Sequence, residues 1–201
     1  GISSHRDYNK PQCPGAAITE PYYIGVAKQA WGRLALGDAA ITATTTATSA
    51  ATTGAALSSG SPILGPASGS KEQAMSYLKR QLPDSSEYKD YDVDAIVGYY
   101  WKYAPPGGID PFLAVVQSIH ETNSWQSAGA ARPHRNPANL GAGTPEGPKS
   151  FPSWDESVRA HVAHLYYLGR KPDGSSRTLS DVYGSDYANK IAAKAKEVTQ
   201  G

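Results

Sequence analysis

Much that would classify this chain at a glance is missing from it. Its 201 residues hold one cysteine, Cys13, so no disulfide can form within the chain. Lys and Arg number 19 against 18 Asp and Glu, leaving a net charge of +1. That balance lacks the basic footprint of a nucleic-acid binder or of a protein held at an acidic membrane surface. No apolar run is long enough to cross a bilayer, so membrane insertion is not expected. No charged-then-apolar leader opens the sequence. The first residues instead look like the middle of a folded domain, and a fragment of a longer protein is expected. Phenylalanine is scarce, with 2 residues, and charged residues make up only 18%. Ala, Gly, Ser and Thr fill the difference, leaving room for one domain of ordinary size plus extra segments.

What is present falls into three parts. Residues 1–37 have varied, ordinary composition. From Thr42 to Gly60 the chain is Ala, Thr, Ser and Gly except for Leu57. Such a stretch carries too little apolar surface to offset the entropy of ordering, so a flexible linker is expected over 38–70. From Lys71 helical periodicity returns. Ala74, Met75, Leu78 and Leu82 share one helix face, and Val93, Ile96, Val97 and Tyr100 share another. Asp110-Pro111 is a helix start, and Phe112, Val115, Val116 and Ile119 follow it as an apolar stripe. Ser153 and Glu156 have the spacing of a capping box. Trp154, Val158, His161, Leu165 and Leu168 form the stripe behind it. Residues 127–149 are rich in Gly, Pro and Asn and read as a loop or short hairpin. A last helix is expected over 185–198. The domain therefore reads as mainly α.

The tyrosines number 13 and the tryptophans 4, rings that suit sugar faces as well as ordinary half-buried surfaces. Glu121 lies two residues past Ile119, about 200° around the helix, so it points away from the core stripe. Gln117 stands one turn earlier on the same side. The helix thus offers an apolar face to a core and a Gln/Glu edge to something else. A carboxylic acid there suits glycoside cleavage, because the leaving oxygen needs a proton. It equally suits a solvated helical glutamate. Trp125, just past Glu121, is a candidate platform for a sugar ring. Asn136 and Asn139 are candidate partners for sugar hydroxyls or acetamides, and also suit turns. Trp154 is read as core, and Asp155 and Glu156 as helix-start residues. His120, His161 and His164 are read as packing residues, since no cysteine or acidic cluster accompanies the metal-like spacing of the last two.

Several segments together carry a resemblance. They are Gln117-Ser118-Ile119-His120-Glu121-Thr122, then Arg132-Pro133-His134-Arg135-Asn136-Pro137-Ala138-Asn139-Leu140-Gly141. Phe151-Pro152-Ser153-Trp154-Asp155-Glu156-Ser157-Val158-Arg159-Ala160-His161 follows, and Leu179-Ser180-Asp181-Val182-Tyr183 and Tyr187-Ala188-Asn189-Lys190-Ile191 close the series. In this order they resemble the bacterial glucosaminidase domain of glycoside hydrolase family 73, over 71–201. The resemblance implies a lysozyme-like helical (α+β) domain with a small β-hairpin lobe over a groove. It implies that Glu121 is the general acid. It also implies an acidic residue on the lobe, an interval in which only Glu146 stands. Glu146 either positions the attacking water or is a plain loop residue while the substrate's own acetamido oxygen assists. One departure is clear: Leu140-Gly141-Ala142-Gly143 follows Asn139 where many members have other loop sequences.

The start of the chain carries a second resemblance. Ser4-His5-Arg6-Asp7-Tyr8-Asn9-Lys10-Pro11-Gln12-Cys13-Pro14-Gly15 resembles the end of a type-2 N-acetylmuramoyl-L-alanine amidase. By that resemblance His5 and Cys13 are remnant zinc ligands, and residues 1–37 are a truncated amidase tail. Two ligands without the fold that organises them bind zinc weakly, so a working zinc site is expected only in an intact parent amidase. The glucosaminidase domain is expected to need no cofactor. The whole reads as a peptidoglycan hydrolase cutting the β-1,4 bond after N-acetylglucosamine, outside the cell or in the wall, with glycan strands as partner. A monomer is expected. A muramidase or lytic transglycosylase of the same shape, or a non-catalytic wall-binding module, are the alternatives.

Overall fold

The computed structural model describes residues 56–84, 91–127, 134–140 and 147–200. Six helices carry this part. They are α1 (Lys71–Gln81), α2 (Val93–Tyr103), α3 (Pro111–Glu121), α4 (Trp154–Gly169), α5 (Leu179–Tyr183) and α6 (Ser185–Gln200). Among the described residues there is no named β-strand, only isolated bridges. The hairpin lobe is therefore not seen. His134–Leu140 and Gly147–Ser153 are instead tied by two backbone bonds, Lys149 N to Leu140 O at 2.9 Å and Phe151 N to His134 O at 2.9 Å.

Side chains at the helix starts explain where the helices begin. Ser70 and Gln73 form a reciprocal capping box on α1, and Thr178 and Asp181 form one on α5. Asp92 accepts from Ala95 N at 3.0 Å, and Ser153 accepts from Glu156 N at 3.2 Å. Asp110 accepts from both Phe112 N and Leu113 N, with Pro111 in the first turn of α3. Each such cap satisfies amide donors that no intrahelical carbonyl can reach.

Helix α3 is the centre of the fold. Every residue from Pro111 to Ile119 is buried. It touches α1, α2, α4 and α6. A helix enclosed on all sides must be apolar nearly all round, and this one is, apart from Gln117 and Ser118. Around it, α2 also packs on α4, and α6 also packs on α1 and α5.

The expectation of a linker through residue 70 is corrected by the structure. Residues 57–70 belong to the folded body. Ile63 is fully buried in the core. Its amide donates to Arg177 O at 3.0 Å, and its carbonyl accepts from Asp110 N at 3.2 Å. Pro62 bridges Thr178, and Leu64 bridges Ile109. Asp110, besides capping α3, accepts from Ser68 N at 3.2 Å. The segment thus stitches the start of α3 to the start of α5. Two glycines make room for it. A Cβ on Gly169 would lie 2.6 Å from Ile63 Cγ2, and one on Gly69 would lie 2.6 Å from the Phe112 ring.

Replacing Ile63 by alanine is expected to destabilise the protein by about 3 kcal/mol, the usual cost of a buried large-to-small change. Denaturant unfolding of the variant checks this. A flexible linker would give no measurable change.

Candidate functional site

Glu121 is the last residue of α3, and the chain leaves it in an unusual way. Asn123, Ser124 and Trp125 have φ of 49°, 56° and 66°, a left-handed turn built without glycine. For L-residues this costs on the order of 1 kcal/mol each, least for asparagine. Hydrogen bonds offset it. Thr122 Oγ1 donates to Ser118 O at 2.7 Å and accepts from Trp125 N at 3.0 Å. Ser124 N donates to Ile119 O at 2.8 Å. The turn folds the Trp125 indole back beneath the helix.

Trp125 is consequently not a sugar platform, which corrects the expectation. Its side chain is fully buried, stacked on Trp154 with centroids 6.3 Å apart. The indole Nε1 donates to Ser118 Oγ at 2.7 Å. The Ser118 hydroxyl donates in turn to Pro137 O, pinning the Asn136–Leu140 loop to α3.

Asn136 is corrected in the same way. It is fully buried, and its amide is committed inside the protein. Oδ1 accepts from Leu140 N at 2.9 Å, while Nδ2 donates to Leu140 O at 2.8 Å and Lys149 O at 3.0 Å. It clamps the two sides of the loop together and has little left for a ligand. Asn139 is half-buried with φ 53°, a turn position that asparagine tolerates. Glu146, His5 and Cys13 lie outside the described residues, as do Arg132 and Pro133.

Gln117 is the third correction among the expected sugar contacts. The polar edge of α3 does not face open groove here, because α4 and α6 cover it. Gln117 is buried. Its Oε1 lies 3.1 Å from His161 Nε2 on α4, and its Nε2 donates to the Tyr187 hydroxyl on α6 at 3.1 Å. His161 Nδ1 lies 2.9 Å from the Tyr100 hydroxyl on α2. Tyr187 then donates to Glu121 Oε1. Glu121 itself is half-buried. A continuous polar chain therefore runs Tyr100–His161–Gln117–Tyr187–Glu121, from the core to the end of α3.

Burial sets the protonation of this chain. It pushes His161 down to about 3, with His164 adding repulsion, so the ring is neutral near pH 7. It pushes Tyr187 far above the ordinary phenol range, and the Glu121 charge pushes the same way. Tyr100 is likewise raised by burial. Both phenols keep their protons. His120 is held below its usual value, chiefly by burial, and presents its ring edge-on to Tyr187 at 5.4 Å.

Sequence reasoning gave no role to Tyr187 and read His161 as packing. Tyr187 lies 66 residues from Glu121 in the chain, and no local spacing links them. Among the described residues, no group of three His, Cys, Asp or Glu stands close enough to hold a metal ion. No protein-family model, curated protein or solved structure matches this chain.

Neutral burial of His161 predicts acid sensitivity. Its folded pKa is depressed and the unfolded value is about 6.5, so the unfolded state takes up a proton first. The stabilisation is complete above pH 6.5 and is lost as pH falls toward 3, at up to about 1.4 kcal/mol per pH unit from this one proton. Melting curves of wild type and His161→Gln between pH 7 and 4 are expected to show a shallower slope in the variant. Equal slopes would refute the assignment.

Proposed function

We propose that this protein is a peptidoglycan glycosidase, an endo-β-N-acetylglucosaminidase in which Glu121 is the general acid. The observation that carries the reading is convergence. The segments of the glucosaminidase resemblance are far apart in sequence, yet their side chains meet at one helix end. Gln117 reaches His161, Ser118 reaches Pro137, and Glu121 reaches Tyr187. A half-buried carboxyl at that junction, held by a phenol, has the makings of a positioned proton donor.

In this reading the glycan lies across the exposed side of Glu121, beside the Asn136–Leu140 loop. Glu121 protonates the glycosidic oxygen while the sugar's anomeric carbon takes on positive charge. Water completes the cleavage, activated by Glu146 or assisted by the substrate's acetamido oxygen. A lysozyme-like groove with a mobile lobe belongs to the same proposal. So do the work outside the cell or in the wall, and the view that residues 1–37 are the tail of an amidase. That amidase would have carried zinc on His5, Cys13 and a further ligand. Among the described residues no helix is long and apolar enough to cross a membrane, and the proposal needs none.

Two experiments test it. Glu121→Gln is expected to lower solubilisation of purified cell walls by about 100-fold or more, the usual scale for removing a general acid. If wild type binds walls and releases no more than this variant, the protein is a binding module. Digestion products are expected to end in reducing N-acetylglucosamine. Anhydromuramic or reducing muramic ends would replace the proposal by a transglycosylase or a muramidase. Glu146→Gln sorts the second step: loss of activity assigns the base to Glu146, and retention assigns it to the acetamido group.

A further inference from the structure

We propose that Tyr187 is a positioning residue that directs the acid proton of Glu121 to Oε2, the oxygen left to face the substrate. The proposal rests on the reading of Glu121 as general acid. It follows from the direction of the donors in the buried chain. The Gln117 carbonyl oxygen can only accept, so His161 Nε2 donates to it across 3.1 Å. The neutral ring then has a bare Nδ1, which accepts from the Tyr100 hydroxyl at 2.9 Å. The Gln117 amide nitrogen can only donate, so the Tyr187 oxygen accepts from it at 3.1 Å. The single Tyr187 proton is left for Glu121 Oε1.

The opposite amide orientation is disfavoured on the same grounds. It would draw the phenol proton to Gln117 and set the phenol's lone pairs against the carboxylate. His161 would also have to exchange its tautomer and lose the acceptor for Tyr100. With Oε1 already accepting, a proton placed on it would collide with the one from Tyr187. The acid therefore carries its proton on Oε2. In the reaction that proton passes to the glycosidic oxygen as the bond to the anomeric carbon breaks, and the bonding pair stays with the leaving oxygen. Oε1 keeps its Tyr187 bond as Glu121 becomes a carboxylate, so the carboxylate group need not turn.

The test uses the full chain and soluble oligomers of alternating N-acetylglucosamine and N-acetylmuramic acid. Tyr187→Phe is expected to lower kcat by about tenfold to a hundredfold with KM within about twofold, as loss of orientation does. Tyr77→Phe is the control for losing a buried tyrosine hydroxyl against α6, since Tyr77 bonds Glu197 there, and its kcat is expected to stay at the wild-type value. Proton NMR of the wild type adds a readout that needs no variant: a slowly exchanging Tyr187 hydroxyl proton in contact with Glu121. If wild type itself is inert, the glucosaminidase reading fails. If wild type is active and Glu121→Gln is not, but Tyr187→Phe turns over at the wild-type kcat, the positioning role is wrong. A Tyr187 hydroxyl that exchanges at the solvent rate overturns it as well.

Discussion

The bond between His161 and Gln117 is the constraint on which this structure turns. Helix α3 is enclosed by four others, and an enclosed helix cannot leave a polar group unmatched without a cost of about 1–3 kcal/mol. Gln117 faces that cost from inside the core. An imidazole from α4 and a phenol from α6 meet it, at 3.1 Å each. Satisfying one amide therefore fixes how α4 and α6 are rotated against α3. The same two contacts close the chain from Tyr100 to Glu121. What stabilises the core and what orients the carboxyl are one set of hydrogen bonds.

The turn after α3 shows a second compromise. A glycine would have relieved the left-handed backbone at Ser124 or Trp125. Instead the strain is held by the fully buried indole of Trp125 and by the Thr122 and Ser118 hydroxyls. Burying a tryptophan contributes well beyond the local strain. The return of the indole also holds the Ser118 hydroxyl against Pro137 O, which ties residues 136–140 to α3. That loop is thus positioned from beneath, by the buried hydroxyl and indole of Ser118 and Trp125.

The helices were legible because their signals are local. Caps at Asp110 and Ser153 and the apolar spacings behind them depend on neighbours three or four residues away. The position of Glu121 off the apolar stripe was legible for the same reason. What covers that side was not, because periodicity tells which face is polar and not what meets it. Gln117, Trp125 and Asn136 were each given to the ligand when the protein itself uses them. Residues 57–70 were read as linker because small and polar residues dominate their composition. Their order comes from pairings with Ile109, Arg177 and Thr178, which sequence spacing cannot reveal. Leu57, and Ile63 and Leu64 between Pro62 and Pro66, were the large apolar residues that hinted at it.

The placing of Tyr187 follows from how α6 lies against the core. Its buried residues are Ala188, Ile191, Ala195 and Val198, a seam with alternating steps of three and four. Alanine at two of the four positions lets the helix backbone come close to its neighbours, and the branched residues between them fill the remaining space. Tyr187 stands one position before the seam, about 100° around the helix. Its phenol therefore leaves the seam sideways and is buried between α6 and the end of α3, where it meets Gln117 and Glu121. A bulkier seam would hold α6 farther out and draw the hydroxyl away from Glu121, although no residue at the site had changed. The direction of the Glu121 carboxyl is in this sense a property of helix packing, because the phenol that holds it comes from α6 and not from its own helix.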